Sequence, residues 1–429
     1  MVKRYFVLSL LALQGVFCEA QSIDKIINAK EVERIERVLS ADDMSGRKIY
    51  TPGIDKAAGF IADEFKKAKL QPVAGDSYLQ EFAMLRTSFV SAKGVVNGKP
   101  LNPDDIAVIS GQEELTITQA TGYQMKVVKS RDTLAMLVNR IEHEGGNYLL
   151  MVDTANRNIF TRFFKRPRNM FSPKFNIVLV LANEEAGEYS IQVKQSITAM
   201  PLKNVVGVLP GKSKKDEYVI FSGHYDHLGI GKPNADGDSI YNGANDDAAG
   251  TTAVIMLANY FARQKNNERT LIFVAFTAEE SGGFGSTYFS QQYKPEQVMA
   301  MFNIEMIGTE SKWGTNSAYI TGYEKTNMGQ ILEKNLANTG FKFYADPYPA
   351  QQLFYRSDNA TLARLGVPAH TISTSKMDSE KFYHTQEDEI ETLDMNNMAA
   401  IIKAIAISST SIVAGKDTPT RVTADSLKR

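Results

Sequence analysis

The sequence predicts an α/β fold: a three-layer α/β/α sandwich with a mostly parallel central sheet, plus an inserted, mostly β domain. Three observations carry this. After Pro201, strand-length apolar runs alternate with helical patterns, as parallel βαβ units require. The runs are continuously apolar, as in Leu271-Ile272-Phe273-Val274-Ala275-Phe276, which fits strands covered on both faces. Residues 85–200 differ in texture, with short strand-like pieces broken by turns.

The chain opens on Lys3 and Arg4, an apolar run from Phe6 to Leu13, and Cys18-Glu19-Ala20 before Gln21. This reads as a signal peptide over residues 1–20, too short for a good membrane span. A buried first helix is the competing reading, and a lipoprotein cut before Cys18 is opposed by the bulky Val16-Phe17. Cys18 is the single cysteine, so cleavage would leave a chain without disulfides, secreted or periplasmic. No other apolar run approaches bilayer length, so stable membrane insertion is not expected.

Val32, Ile35, Val38 and Leu39 recur at helical spacing, and Ala57, Ala58, Ile61, Phe65 and Ala68 mark a second helix from about Asp55 to Lys69. Within the insert, a helix at Arg131–His143 and a strand at Tyr148–Val152 stand out. The basic stretch Arg162 to Arg168 reads as a solvated loop: a net charge of −1 gives no reason to expect nucleic acid. Beyond it, strands are expected at Asn204–Leu209, Tyr218–Ser222, Thr270–Phe276, Val298–Ile304, Ala318–Ile320 and Pro368–Ile372. Helices are expected at Ala248–Arg263, Thr326–Asn338, Asp358–Leu365 and Met395–Ser408. Residues 21–84 and 201–415 then form one domain, 85–200 the insert and 416–429 a polar tail. With 429 residues, 43% hydrophobic and 23% charged, the composition is that of an ordinary globular chain.

Five segments place a metal-type ligand after a buried-strand pattern. Tyr218 to Ser222 ends in Gly223-His224-Tyr225-Asp226, where Asp226 can hydrogen-bond the imidazole and fix its tautomer. Asn245-Asp246-Asp247 leads into a helix of small residues. Both acids fit an N-terminal cap, and Asp246 could also offer one oxygen to each of two metals. Leu271 to Phe276 leads into Ala278-Glu279-Glu280; one carboxylate can ligate while the other takes a proton from water. Glu305 interrupts an apolar strand end and needs a partner, a cation or a salt bridge. His384 follows Tyr383, whose hydroxyl could donate to an oxyanion. His143 and His370 read as a helix residue and a core residue, and His227 has no assigned role. At the carboxyl edge of a parallel sheet the set reads as a hydrolase with two clustered zinc ions.

These motifs, with Ser357-Asp358-Asn359 and the opening Leu39-Ser40-Ala41-Asp42-Asp43-Met44-Ser45-Gly46-Arg47, resemble the M28 family of zinc peptidases, the co-catalytic dizinc aminopeptidases. The resemblance covers residues 30–84 and 200–412 and implies a zinc-exopeptidase fold. It touches the block between only in position and rough texture, where some members carry a protease-associated insert. It implies that Asp246 bridges two zincs, with His224 and Glu305 completing one site and Glu280 and His384 the other. It makes Glu279 the general base, Tyr383 an oxyanion donor and Asp226 the residue that orients His224. Many members have Asp at the Glu305 position, which puts substrate preference in question. The expected function is a secreted metallo-aminopeptidase acting on peptides. The rivals are a one-zinc glutaminyl cyclase, a carboxypeptidase-type relative and a catalytically inactive binding ectodomain. Tyr355, Arg356 and Trp313 are candidates for the pocket wall.

Overall fold

The computed structural model describes residues 23–427, so the leader read at residues 1–20, with Cys18, lies outside the described residues. Two units form among them: residues 82–201, and the segments before and after.

The unit built from the flanking segments is mixed α/β. Its main strands are β1 (Tyr189–Leu209, of which residues 202–209 belong to this unit), β2 (Lys214–His224), β3 (Arg269–Phe276), β4 (Val298–Ile304), β5 (Ser317–Ile320), β6 (Lys342–Ala345) and β7 (Ala369–Ser373). They lie in the order β6-β5-β7-β4-β2-β3-β1. The central strands β7, β4, β2 and β3 are mutually parallel. On one flank β5 runs antiparallel to β7 and parallel to β6; on the other, residues 205–209 of β1 run antiparallel to β3.

The helices that accompany this sheet include α1 (Ala29–Leu39), α2 (Pro52–Lys67), α3 (Ala249–Gln264), α4 (Phe284–Ser290), α5 (Met328–Asn335), α6 (Asn359–Ala363) and α7 (Met395–Ser408). Strand periodicity sends alternate residues to opposite faces. Leu271, Phe273 and Ala275 of β3 join one apolar cluster with α1, α2, α3, α5 and α7. Ile272, Val274 and Phe276 join a second with Phe289 of α4 and Leu362 of α6. That two-sided burial explains the unbroken apolar run. Phe221 centres the first cluster, stacked on Phe302, Phe261 and Phe273 at 5.0, 5.4 and 5.5 Å.

Local signals set the helix ends. Asn28 caps α1 by accepting from the Glu31 N–H at 3.1 Å, Pro52 occupies the first turn of α2, and Asp394 accepts from the Asn396 and Asn397 N–H groups. α5 is shorter than the 326–338 expected from spacing: it starts after Thr326, which accepts from the Met328 N–H at 3.1 Å, and it ends at Asn335. α4 and β6 have no counterpart among the expected elements; seven and four residues are too few to show a period.

Residues 82–201 hold a four-stranded sheet of their own, in the order Ile106–Ile109, Phe175–Leu181, Gly146–Val152, Gln124–Val128. The last three strands are parallel, and Arg131–Glu144 is the crossover helix between two of them. The basic stretch differs from the expected loop: a helix, Arg157–Phe164, runs through its start, because Phe160 is fully buried and meets Phe164 one turn on at 6.2 Å. No helix among the described residues is long and apolar enough to cross a membrane.

Candidate metal centre

The parallel strands β2, β3, β4 and β7 all end at one edge of the sheet, and the acidic and imidazole residues collect there. His224 is the last residue of β2, and Glu305 directly follows β4. Glu279 and Glu280 follow β3, Asp246 sits in the turn that opens α3, and His384 lies in the loop after β7.

Asp246 is the hinge of the arrangement. Its Oδ1 lies 3.2 Å from Nε2 of His224, and its Oδ2 lies 3.2 Å from Nε2 of His384. Nε2 of His384 is also 3.1 Å from Oε1 of Glu280. His224, Asp246 and Glu305 converge as one potential ligand set, and His227, Asp246 and Glu280 as another, each with donor atoms within 4.8 Å of one another. His227 is the surprise: it is buried, and its Nδ1 stands 3.1 Å from the same Glu280 oxygen that faces His384. Its only sequence signal was a position three residues after His224, which no strand or helix period distinguishes from a cleft-lining residue.

The donor atoms fit a metal. Nε2 of His224 and His384, Oε1 of Glu280 and Oε2 of Glu305 are shielded from water and lack hydrogen-bond partners among the described residues. Buried polar atoms are ordinarily satisfied, so imidazole nitrogens and carboxylate oxygens left unsatisfied and facing one another mark a cation site. Burial works to raise the Asp246 carboxyl, yet the two histidines hold it far below the usual carboxylate range. The His384 imidazole is raised to about 10 by Asp246 and Glu280.

The scaffold beneath the ligands is equally specific. Oδ2 of Asp247 accepts from the His224 N–H at 3.1 Å, and its Oδ1 accepts from the Gly250 and Met306 N–H groups at 3.0 and 3.1 Å. One carboxylate therefore ties the end of β2, the segment after β4 and the start of α3. Gly250 permits the close approach, since a β-carbon there would meet the Ile304 carbonyl at 2.1 Å, where something would have to shift. Asp388 receives the Asn245 and Asp246 N–H groups at 2.8 and 3.0 Å. The fully buried Arg47 guanidinium donates to the carbonyls of Leu39, Tyr225, Asn242 and Gly243, joining the two ligand-bearing loops. Ala278, Met306 and His384 all take left-handed backbone, with φ of 61°, 52° and 58°. Such conformations cost residues with a β-carbon about 1–2 kcal/mol each and persist where surrounding bonds over-determine them.

One expected contact takes another form. Nδ1 of His224 meets the backbone carbonyl of Asp226 at 3.1 Å, while the Asp226 carboxylate lies 3.9 Å away. That carboxylate instead accepts from the Glu279 N–H at 3.0 Å, because the chain after β3 turns across it. Burial raises the Asp226 carboxyl to about 7, and pushes Glu279 well above the ordinary value.

A cavity of about 450 Å³ opens onto the cluster, lined by Asp246, Glu279, Glu280, Glu305 and Tyr383, with Tyr355 and Arg356 further out. The Tyr383 ring stacks on His384 at 3.9 Å, and burial raises its hydroxyl. Trp313 is not part of this wall; it stacks on Tyr344 at 4.0 Å. His370 is a core residue held by Thr326 and the Thr321 carbonyl, each at 2.8 Å, and His143 is an exposed residue of the Arg131–Glu144 helix.

Residues 204–408 match the family model described as Peptidase family M28. Leucine aminopeptidase 1 of Ajellomyces dermatitidis is 27% identical over 238 residues, 48% of this chain and 59% of that protein, so the chain spans about three fifths of that relative. Leucine aminopeptidase 1 of Pyrenophora tritici-repentis is 26% identical over 376 residues, 82% of this chain and 92% of the relative. BSAP, a zinc aminopeptidase from Bacillus subtilis, superposes with a TM-score of 0.56 at 16% identity, covering 94% of this chain and 99% of its own, a likeness of fold alone. The segment that carries every candidate ligand is thus the segment that matches the model of peptidase family M28.

Proposed function

We propose that the protein is a metallo-aminopeptidase that removes the first residue of peptides with two zinc ions. The observation that carries this is Asp246, whose two carboxylate oxygens face two separate ligand groups. His224 and Glu305 would complete one zinc site; Glu280 and His384, with His227 beside them, would complete the other. Bound there, zinc supplies a Lewis acid for the peptide carbonyl and makes water acidic enough to act as a nucleophile at neutral pH.

The protein's own groups do the rest. Glu279 lines the cavity, and its backbone N–H is fixed by Asp226. Burial makes its carboxylate a better base than a solvated glutamate, so it takes the proton of the attacking water and returns it to the leaving amine nitrogen. Tyr383 stays protonated and donates its O–H to the developing oxyanion, while its ring steadies His384 by stacking. Asp226 serves twice, orienting His224 through its carbonyl and Glu279 through its carboxylate.

The leader pattern at residues 1–20 supports export, secreted or periplasmic, with a mature chain beginning at Gln21. Residues 85–200 would be a domain inserted into the zinc-exopeptidase sandwich, in the position of a protease-associated insert.

The test is Glu279→Gln in zinc-loaded protein. It should leave two zinc ions per chain and lower the turnover of aminoacyl anilides by about 1,000-fold. Undiminished turnover would remove Glu279 as the base. A firm count of one zinc in the unaltered protein would favour the glutaminyl cyclase reading.

A further inference from the structure

One wall of the cavity has little structure of its own. Residues 349–356 form two single turns, Pro349–Gln351 and Leu353–Tyr355, joined at Gln352, whose backbone is left-handed with φ of 52°. Turns this short fix few bonds of their own and take their position from what packs against them. Leu353, Tyr355 and Arg356 of this segment line the cavity.

What packs against them is the segment 420–427, polar in composition yet tied down along its length. The Thr420 N–H donates to Oδ1 of Asn327 at 2.8 Å, and its hydroxyl oxygen accepts from the Asn327 N–H at 3.0 Å. The Arg421 guanidinium donates to the carbonyls of Val298 and Pro295 at 2.7 and 2.8 Å. The Val422 N–H donates to the Gly366 carbonyl at 3.1 Å, and its side chain is buried in the cluster that holds Phe354. Thr423 and Ser426 then accept from each other's N–H through their hydroxyls, at 3.1 and 3.2 Å, and close a turn. Two carbonyls beyond that turn reach the wall. That of Ser426 accepts from the Lys325 ammonium at 2.6 Å, and that of Leu427 accepts from the Tyr355 hydroxyl at 3.2 Å. The same ammonium stands 5.3 and 5.7 Å from the ring centres of Phe354 and Tyr355, so one cation links the segment to both aromatic residues.

We propose that residues 420–427 are a strap that positions Tyr355, and with it the 353–356 wall, for substrate binding. Glu279 and the ligand-bearing loops are held separately, through Asp226, Asp247 and Asp388. The strap therefore governs how the substrate fits and leaves the chemical step to the metal centre. This rests on the aminopeptidase reading above and gives it a set of positioning residues, Lys325, Ser426 and Leu427, that never touch the peptide.

The test deletes residues 425–429 from the zinc-loaded protein, which removes both carbonyls and leaves the Thr420, Arg421 and Val422 anchors in place. KM for leucyl anilide should rise about 10-fold while kcat stays within about 2-fold and zinc content is retained. Tyr355→Phe, which lacks only the hydroxyl, should raise KM as well, and combined with the deletion it should raise KM no further than the deletion alone. Amide hydrogen exchange should quicken by about 10-fold over residues 349–357 and stay unchanged over 218–226 and 269–280. Should the shortened chain not fold, Lys325→Met, which cuts the Ser426 tie, takes its place. An unchanged KM, a fall in kcat and Tm without a rise in KM, or additive effects of the two changes would overturn the proposal. If the unaltered protein cleaves no anilide, the aminopeptidase reading falls and exchange decides alone: unchanged exchange over 349–357 would then sink the strap.

Discussion

Asp246 can serve two cations because a carboxylate has two equivalent oxygens and this one is gripped from behind, by the Asp388 bonds to its own N–H and to that of Asn245. Asp246→Asn keeps the shape but turns one oxygen into an N–H donor. We predict zinc content falling from two to at most one per chain, with at least a 100-fold loss of activity, measured by atomic absorption beside anilide turnover. His227 and His384 share Oε1 of Glu280, so His384→Ala should retain part of the second zinc and the double variant His227→Ala/His384→Ala should retain none. Retention of both zincs by the double variant would move that site elsewhere. His224, Glu280 and Glu305 stood out because each is a polar residue at or just after the end of an apolar strand, where burial without a partner is unfavourable; Asp246 and His384 lie in loops and stood out by their motifs alone. His227 was not legible as a participant, since its place beside Glu280 depends on what the loops bring together. The Asp226 carboxylate was expected on His224 and lies on Glu279, because spacing along a strand cannot show which way the next turn crosses it.

Secondary structure explains why these loops hold. Asp247 closes three element ends with one side chain, and its loss leaves three buried N–H groups unsatisfied. At about 1 kcal/mol or more each, Asp247→Ala should destabilise the fold by about 3 kcal/mol or more in denaturant unfolding. The buried face of α1 carries a second consequence. Glu36 is fully buried, accepts from the Thr252 hydroxyl at 2.7 Å, and is raised by burial from 4.5 to about 8. Between those values the folded chain keeps a proton that the unfolded chain has released, so stability falls as pH rises through the window. Glu36→Gln removes the titration. Its Tm advantage should be absent at pH 4, grow with pH and level off above pH 8; a pH-independent difference would contradict the shift. The central strands and long helices were readable because their periods extend over enough residues. Short pieces such as α4 and β6 were not, and the helix within the basic stretch was masked by its charge.

For the whole molecule, binding to the folded state alone stabilises by mass action. Zinc at about 1,000 times its Kd would contribute about 4 kcal/mol, so chelation should lower Tm with no change in the apolar clusters. The α/β class and the edge of the sheet that bears the site follow from the alternation of apolar strand and amphipathic helix. Within residues 82–201 the Arg131–Glu144 helix and the Gly146–Val152 strand were legible, but the sheet they belong to was not, because its remaining strands are short and Ile106–Ile109 pairs with Phe175–Leu181, far along the chain. The central claim is that two cations sit on either side of Asp246. Anomalous diffraction at the zinc edge from zinc-loaded crystals tests it most directly. The account predicts two peaks, one among His224, Asp246 and Glu305 and one among Asp246, Glu280 and His384; a single peak, or none touching Asp246, would contradict it.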